Sequence, residues 1–123
     1  MMLYLDNAAT TLKKPLSVYA TLFKSTLFSG GNAGRGGHKM SMDAVRAIVD
    51  TQDLIAQLFN IKKAENIVFT QNATYALNTA ILGTMSNGGH IVVTEMDHNS
   101  VLRPACLPDN YTVVKADKSG YVH

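Results

Sequence analysis

Cysteine and unbalanced charge are the two features that this sequence most clearly lacks. Among its 123 residues Cys106 is the single cysteine, which excludes an internal disulfide and a cysteine-rich zinc site. The 11 basic and 9 acidic residues leave a net charge of +2, too weak a field to indicate nucleic acid or an anionic lipid surface as a partner. Sparing use of cysteine is consistent with a reducing compartment, so we expect a cytoplasmic protein. Because the net charge is weak, we expect it to bind neither nucleic acid nor membrane.

Long apolar runs are also missing. No stretch approaches the roughly 20 apolar residues that span a bilayer, and residues 1–6 lack the basic leader of a signal peptide. Yet 46% of the residues are hydrophobic and only 16% are charged, a balance typical of a packed globular core. Without repeats or an interdomain linker, a chain of this length fits one small domain.

Helical periodicity is clear in the first half of the chain. Pro15 stands where a helix can begin, and apolar residues recur at helical spacing after it until the Ser-Gly-Gly of residues 29–31, where the helix should stop. A longer, mostly apolar stripe predicts a second helix over residues 42–59, with Ser41 as its N-cap and Asn60 at its end.

The second half of the chain alternates strand-like and helix-like segments. Residues 67–70 are β-branched and aromatic and predict a buried strand, and the Ala- and Leu-rich residues 73–82 predict a helix after it. A turn at residues 87–89 precedes a second strand over 90–94, and a third follows over 111–116. This order predicts an α/β fold with a largely parallel sheet.

The turn between the first predicted strand and its helix is a candidate anion site. The first amides of a helix lack internal acceptors and carry partial positive charge, and Asn72, Ala73 and Thr74 occupy that position. Ala73 is small enough to let an anion approach the backbone, and the Thr74 hydroxyl can donate a further bond. The alternative is that Asn72 simply caps the helix, which is the commoner use of asparagine there.

A glycine-rich loop over residues 30–38 holds 5 of the 9 glycines. It fits neither the P-loop nor the dinucleotide motif, because Gly37-His38 replaces the Lys-Ser/Thr pair, Lys39 replaces the third glycine, and a helix rather than a strand precedes it. The loop still carries one guanidinium, on Arg35, and one imidazole, on His38. It is therefore either a solvated surface loop or part of an active site.

A polar run over residues 95–100 follows the second predicted strand, where ligands of α/β proteins bind. Within it His98 could act as a base, a metal ligand or a flat platform for an aromatic ligand, although a loop histidine is usually structural or solvated. No partner at ligand spacing accompanies it, so no metal site is predicted. Cys106 has no neighbouring His or Lys to activate it, and we expect an inert, partly buried thiol.

Four segments of the chain occur in an order and context that belong together. They are YLDNAATT at 4–11, GNAGRGGH at 31–38, IVFTQNAT at 67–74 and DHNSVLRP at 97–104. Taken together, they resemble the N-terminal part of a cysteine desulfurase, in the class V aminotransferase group of pyridoxal-phosphate (PLP) enzymes. The resemblance covers nearly the whole chain, from Tyr4 to about Tyr121.

The resemblance implies a set of site residues. Ala73 and Thr74 would hold the cofactor phosphate, and His98 would stack on the pyridine ring. The pocket wall, the substrate side and the interface of a homodimer would include Asn78, Asn7, Ala8, Ala9, Thr10, Arg35 and His38. Gln71-Asn72 departs from the small residue that the family often has before the phosphate motif.

The same resemblance implies the three-layer α/β/α large domain of fold type I, with a mostly parallel sheet of order 3-2-4-5-6-7-1. Residues 1–123 would supply only strands 1, 2 and 3, so the domain is expected to be incomplete. Four absent strands would lie between strand 1 and strand 2, which leaves two pieces with unpaired, largely apolar edges.

By resemblance, the complete enzyme would remove sulfur from L-cysteine through an enzyme persulfide. That chemistry needs a Schiff-base lysine and a catalytic cysteine, but Lys115, Lys118 and Cys106 match neither motif. We therefore expect an N-terminal fragment that is inactive alone and does not hold PLP covalently. The alternatives are another class V activity, such as selenocysteine lyase, and a non-enzymatic truncated domain that self-associates or binds a partner.

Overall fold

A computed structural model describes residues 3–122, which form four α-helices, one 3-10 turn and two β-strands. In chain order these are α1 (Leu16–Phe28), α2 (Lys39–Phe59), the 3-10 turn (Ala64–Asn66), α3 (Ala73–Met85), β1 (Ile91–Thr94), α4 (Asn99–Ala105) and β2 (Tyr111–Val114). The chain divides into two compact units, one up to Ile67 and one from Val68 onward. Within the described residues, no helix has both the length and the apolar character needed to cross a bilayer.

In the first unit, α1 confirms the helix predicted after Pro15. Proline lacks an amide hydrogen, so it stands before the first helical residue without cost, and its backbone is extended there. The helix ends at Phe28, and the Ser29 amide donates to the Ser25 carbonyl to close the last turn at 2.9 Å. No residue of α1 is buried, so this helix presents apolar side chains to solvent.

The N-terminus of α2 corrects the predicted boundary. The helix begins at Lys39 and its N-cap is His38, whose Nδ1 accepts a hydrogen bond from the Ser41 amide at 3.4 Å. Ser41 lies inside the first turn, and its fully buried hydroxyl donates to the Asn32 carbonyl at 2.5 Å. Ser41, which was predicted to cap the helix, instead links the glycine loop to α2 through this hydrogen bond. The predicted end is confirmed, because Asn60 adopts the left-handed conformation with a φ of 54°.

The second unit contains a small parallel sheet. Strands β1 and β2 pair in parallel over four residue pairs, from Ile91 opposite Tyr111 to Thr94 opposite Val114. Helix α4 packs against both α3 and β1, and the buried residues of this unit are Val93, Pro104 and Ala105. The α/β class is therefore correct, and two of the predicted strands are confirmed with shorter bounds.

The first predicted strand, over residues 67–70, is wrong. Residues 67–70 form no ladder with any described segment, and the Val68 side chain is 78% exposed rather than buried. A strand is stabilised by hydrogen bonds to a neighbour, and the sequence of residues 67–70 cannot supply that neighbour. This segment is therefore an unpaired lead into α3.

One helix is longer than predicted, and one was not predicted. Helix α3 runs through Gly83 to Met85, beyond the predicted end at residue 82. Helix α4 was not predicted, because it is only seven residues long and contains Pro104 near its end. The predicted turn at residues 87–89 is present, with positive φ at Gly88 and Gly89.

Candidate functional site

The N-terminus of α3 combines a side-chain cap with free amides. The Asn72 carboxamide oxygen accepts from the Tyr75 amide at 3.0 Å, so the capping role is correct. The Asn72 carbonyl accepts from the Ala76 amide at 3.1 Å. Within residues 3–122 the amides of Ala73 and Thr74 donate to no acceptor. Capping by Asn72 therefore leaves two backbone donors at the positive end of the helix dipole.

Asp97 closes the turn that follows β1. Its Oδ2 accepts from the Thr94 amide at 2.7 Å and from the Thr94 hydroxyl at 3.1 Å. Its own amide donates back to the Thr94 carbonyl at 3.1 Å. These three bonds fix the direction in which the chain leaves the strand, and they place the next residue, His98, at the start of α4.

The imidazole of His98 is held by the helix that it caps. Its Nδ1 accepts from the Ser100 amide at 3.1 Å and lies 2.8 Å from the Ser100 hydroxyl oxygen. A ring nitrogen that accepts from an amide carries no proton, so in this cap the ring N–H is the one on Nε2. His98 therefore keeps one ring N–H and both ring faces for contacts beyond the cap.

Helices α3 and α4 together form a cavity of about 350 Å³. The residues that line it, all from the second unit, are Thr74, Asn78, His98, Asn99, Ser100 and Arg103. Asn78 lies one turn after Thr74, and its amide nitrogen donates to the Thr74 carbonyl at 2.9 Å. Three residues that the sequence placed in a ligand site, Thr74, Asn78 and His98, thus share one cavity.

The remaining predicted site residues lie in the first unit. Asn7 accepts from the Leu12 amide at 3.3 Å through its side-chain oxygen, and Ala8, Ala9 and Thr10 follow it in an exposed segment without helix or strand. Arg35 is exposed in the glycine loop, and His38 caps α2. None of these residues lines the cavity of the second unit, and the capping role of His38 was not predicted.

Cys106 corrects a further expectation. The residue follows α4 and its thiol is exposed rather than partly buried, because the buried positions at this end of the helix are taken by Pro104 and Ala105. In the part of the chain that the structure describes, no three His, Cys, Asp or Glu side chains stand close enough to hold a metal ion.

Comparison with known proteins gives a consistent set of matches. A family model described as "Aminotransferase class-V" matches residues 3–119. A probable cysteine desulfurase of Aeropyrum pernix is 39% identical over 105 residues, which cover 82% of this chain and 25% of that protein. A probable cysteine desulfurase of Synechocystis is 34% identical over 107 residues, 84% of this chain and 25% of that protein. One of Vibrio cholerae is 30% identical over 121 residues, 95% of this chain and 30% of that protein. The chain thus spans a quarter to a third of the length of these relatives.

Proposed function

This chain belongs to the class-V aminotransferase family, and on that premise we propose that it forms the N-terminal part of a PLP-dependent cysteine desulfurase. The observation that carries the proposal is the cavity that brings Thr74 and His98 together. The similarity to probable cysteine desulfurases supports the choice of activity within the family. A cytoplasmic location and a homodimer belong to the same proposal.

The donor chemistry at the N-terminus of α3, where Thr74 lines the cavity, fits a phosphate-bearing cofactor. The amides of Ala73 and Thr74 donate to no described residue, and the Thr74 hydroxyl makes no other hydrogen bond within residues 3–122. These three donors would hold the phosphate at the N-terminus of α3. When bound, PLP supplies an electron sink for carbanion chemistry at the substrate amino acid.

The other residues of this chain would orient the ligands. The His98 ring, fixed by its bonds to Ser100, offers a flat surface on which a pyridine ring can stack. Asn78 would line the same pocket. We assign Asn7 to Thr10, Arg35 and His38 to the substrate side, where a neighbouring subunit would complete the site.

Equilibrium dialysis of PLP against the chain tests the cofactor site. We expect binding that weakens about tenfold in Thr74→Val, which keeps the shape of the side chain and removes one donor to a charged group. Thr79→Val is the matched control, because Thr79 lies on the same helix outside the cavity and its hydroxyl donates to the Tyr75 carbonyl. Equal PLP affinity in all three proteins would contradict the proposal.

Turnover by this chain alone is not part of the proposal. No lysine or cysteine in the sequence matches the positions that hold the cofactor covalently and accept sulfur. Purified chain given PLP and L-cysteine should therefore release no more sulfide than PLP does without protein. Sustained sulfide release that depends on the chain would show that the catalytic groups are present after all.

A second candidate function is self-association or partner binding, and the exposed surface favours it. The chain exposes 10,433 Å², whereas a compact monomer of 13.3 kDa exposes about 6,500 Å². Even two separate compact domains that shared this mass would expose only about 8,000 Å² together. Much of the surface is apolar, with Leu16, Phe23 and Val68 each more than half exposed. The molar mass in solution, measured by light scattering after size exclusion, tests this candidate.

A further inference from the structure

Arg103 is a cation of the cavity to which the sequence assigned no role. It lies in the last turn of α4, and its side chain lines the cavity with Thr74 and Asn78 of α3. Within residues 3–122 no carboxylate lies within 4.0 Å of the Arg103 guanidinium. The ion pair found in that range joins Arg46 to Asp43, and both belong to the other unit. In the sequence, Arg103 has the character of an ordinary surface charge. The packing of α4 on α3 is what places it at the cavity.

The polar groups around Arg103 are mostly donors. Of the described residues that line the cavity, none is acidic. The His98 ring keeps its Nε2 proton, because its Nδ1 accepts from the Ser100 amide. The Thr74 hydroxyl can donate as well, and the Asn99 carboxamide carries two further donor hydrogens. A guanidinium beside several neutral donors, with no competing carboxylate, is suited to bind an oxyanion. The oxyanion can accept hydrogen bonds from each of these groups, and its charge balances that of the guanidinium.

We propose that Arg103 binds an oxyanion of the ligand, a phosphate or a carboxylate, inside this cavity. The proposal rests on the proposed function only for the source of that oxyanion, which is the cofactor phosphate or the amino-acid carboxylate. The plainer role for a cation at this position is interaction with the negative end of the α4 dipole. That role needs no ligand, and it predicts that anions leave the reactivity of Arg103 unchanged.

The three arginines of the chain allow a test with internal controls. The chain is treated with p-hydroxyphenylglyoxal, and the modification of Arg35, Arg46 and Arg103 is followed by peptide mass spectrometry. Separate samples contain inorganic phosphate, PLP, pyridoxal without phosphate, or L-alanine as an unreactive amino acid. At a ligand concentration about ten times its Kd, the modification of Arg103 should slow about tenfold while that of Arg46 is unchanged.

The pattern of protection identifies the oxyanion. Protection by phosphate and PLP but not by pyridoxal or L-alanine assigns the phosphate, and protection by L-alanine assigns the carboxylate. Equal slowing at Arg103 and Arg46 would mean general ionic screening and would overturn the proposal. Arg103 modified at the same rate in every sample would overturn it too.

Variants give an independent measure of the same contact. Arg103→Gln should weaken dialysis binding of the protecting anion about tenfold or more, and Arg103→Lys should have an intermediate effect because it keeps the charge and loses the planar fork. Arg46→Gln is the matched control and should bind normally. Far-ultraviolet circular dichroism of each variant shows whether the helices remain, and full binding by a folded Arg103→Gln would refute the role.

Failure of this inference can be separated from failure of the proposed function. If PLP binds the chain and Arg103 is not protected, the cofactor proposal stands and the role of Arg103 falls. If inorganic phosphate protects Arg103 while PLP does not bind, the oxyanion site stands and the cofactor proposal falls.

Discussion

At the scale of single residues, His98 illustrates how one side chain serves both folding and binding. Its Nδ1 caps α4 through the Ser100 amide, and its ring forms part of the cavity wall. The cap uses Nδ1 as an acceptor, whereas stacking uses the faces of the ring, so one side chain can serve both roles. Substitutions can separate these roles, since capping needs only an acceptor whereas stacking needs the ring.

His98→Asn and His98→Ala should therefore differ in stability but not in binding. Asparagine retains an acceptor for the start of α4, whereas alanine leaves the Ser100 amide uncapped and should cost about 1 kcal/mol of unfolding free energy. Both variants lose the flat ring, so both should bind PLP less tightly than the parent chain. Urea titrations and dialysis measure the two effects. Unchanged PLP affinity in the asparagine variant would contradict a stacking role.

Asp97 is a positioning residue that the resemblance did not single out. Removal of its carboxylate in Asp97→Ala leaves the Thr94 amide and hydroxyl without their shared acceptor, and we expect a loss of about 1–3 kcal/mol in unfolding free energy. Asp109→Ala is the matched control, because Asp109 is an exposed acid of the same unit that makes no side-chain bond to a described residue. Equal urea midpoints for the two variants would refute the positioning role.

Only part of the candidate site could be predicted from the sequence. Thr74 and His98 were identified because each follows a strand-like segment at a position with evident chemistry, and Asn78 came from the resemblance. Arg103 was missed because its role depends on another element, and Asp97 because a local turn gives that side chain its role. Arg103 reaches the cavity only through the packing of α4 on α3, and Asp97 acts through the backbone of Thr94.

At the scale of elements, the helices were predictable and the sheet was not. Helices α1 and α2 satisfy their hydrogen bonds internally, so periodicity and end signals near Pro15 and Asn60 fix most of their extent. The start of α2 was misplaced because the glycine loop recruits Ser41 for a tertiary bond. Residues 67–70 have the composition of a strand, but a strand exists only where a second segment supplies its partner.

The junction between the glycine loop and α2 gives a prediction at this scale. A Cβ added at Gly31 would lie 2.4 Å from the carbonyl carbon and oxygen of Met40, a backbone clash that the loop can relieve only by moving away. Gly31→Ala should therefore break the bond between Ser41 and Asn32 and destabilise the first unit by about 1–3 kcal/mol. Gly37→Ala, where nothing lies within 4 Å of the added Cβ, is the matched control.

Limited trypsin digestion reports on the opening of that junction. Cleavage after Arg35, within the loop, should accelerate in Gly31→Ala and remain at the parent rate in Gly37→Ala. Cleavage after Arg46, inside α2, provides the reference for general unfolding. If both sites accelerate equally, the substitution unfolds the unit as a whole and the local explanation fails.

At the scale of the whole molecule, a small sheet and an unpaired segment leave apolar side chains in water. Strands β1 and β2 pair in parallel, over four residue pairs. Residues 67–70 have a strand-like composition, and they pair with no described segment. Exposed apolar side chains such as that of Val68 favour any association that covers them.

Val68→Pro tests whether residues 67–70 carry such an association. Proline removes the amide that an added strand would use, and it suits the extended backbone of Ile67, whose φ of −93° and ψ of 117° are those preferred before proline. Val68 is 78% exposed, so the substitution disturbs few contacts within the chain. We expect the parent chain to show a molar mass above 13.3 kDa that rises with concentration, and Val68→Pro to shift toward the monomer. Val68→Thr, which keeps the amide and the branched shape, should associate more than the proline variant. A parent chain that is monomeric at every concentration and unfolds cooperatively would refute association through this segment.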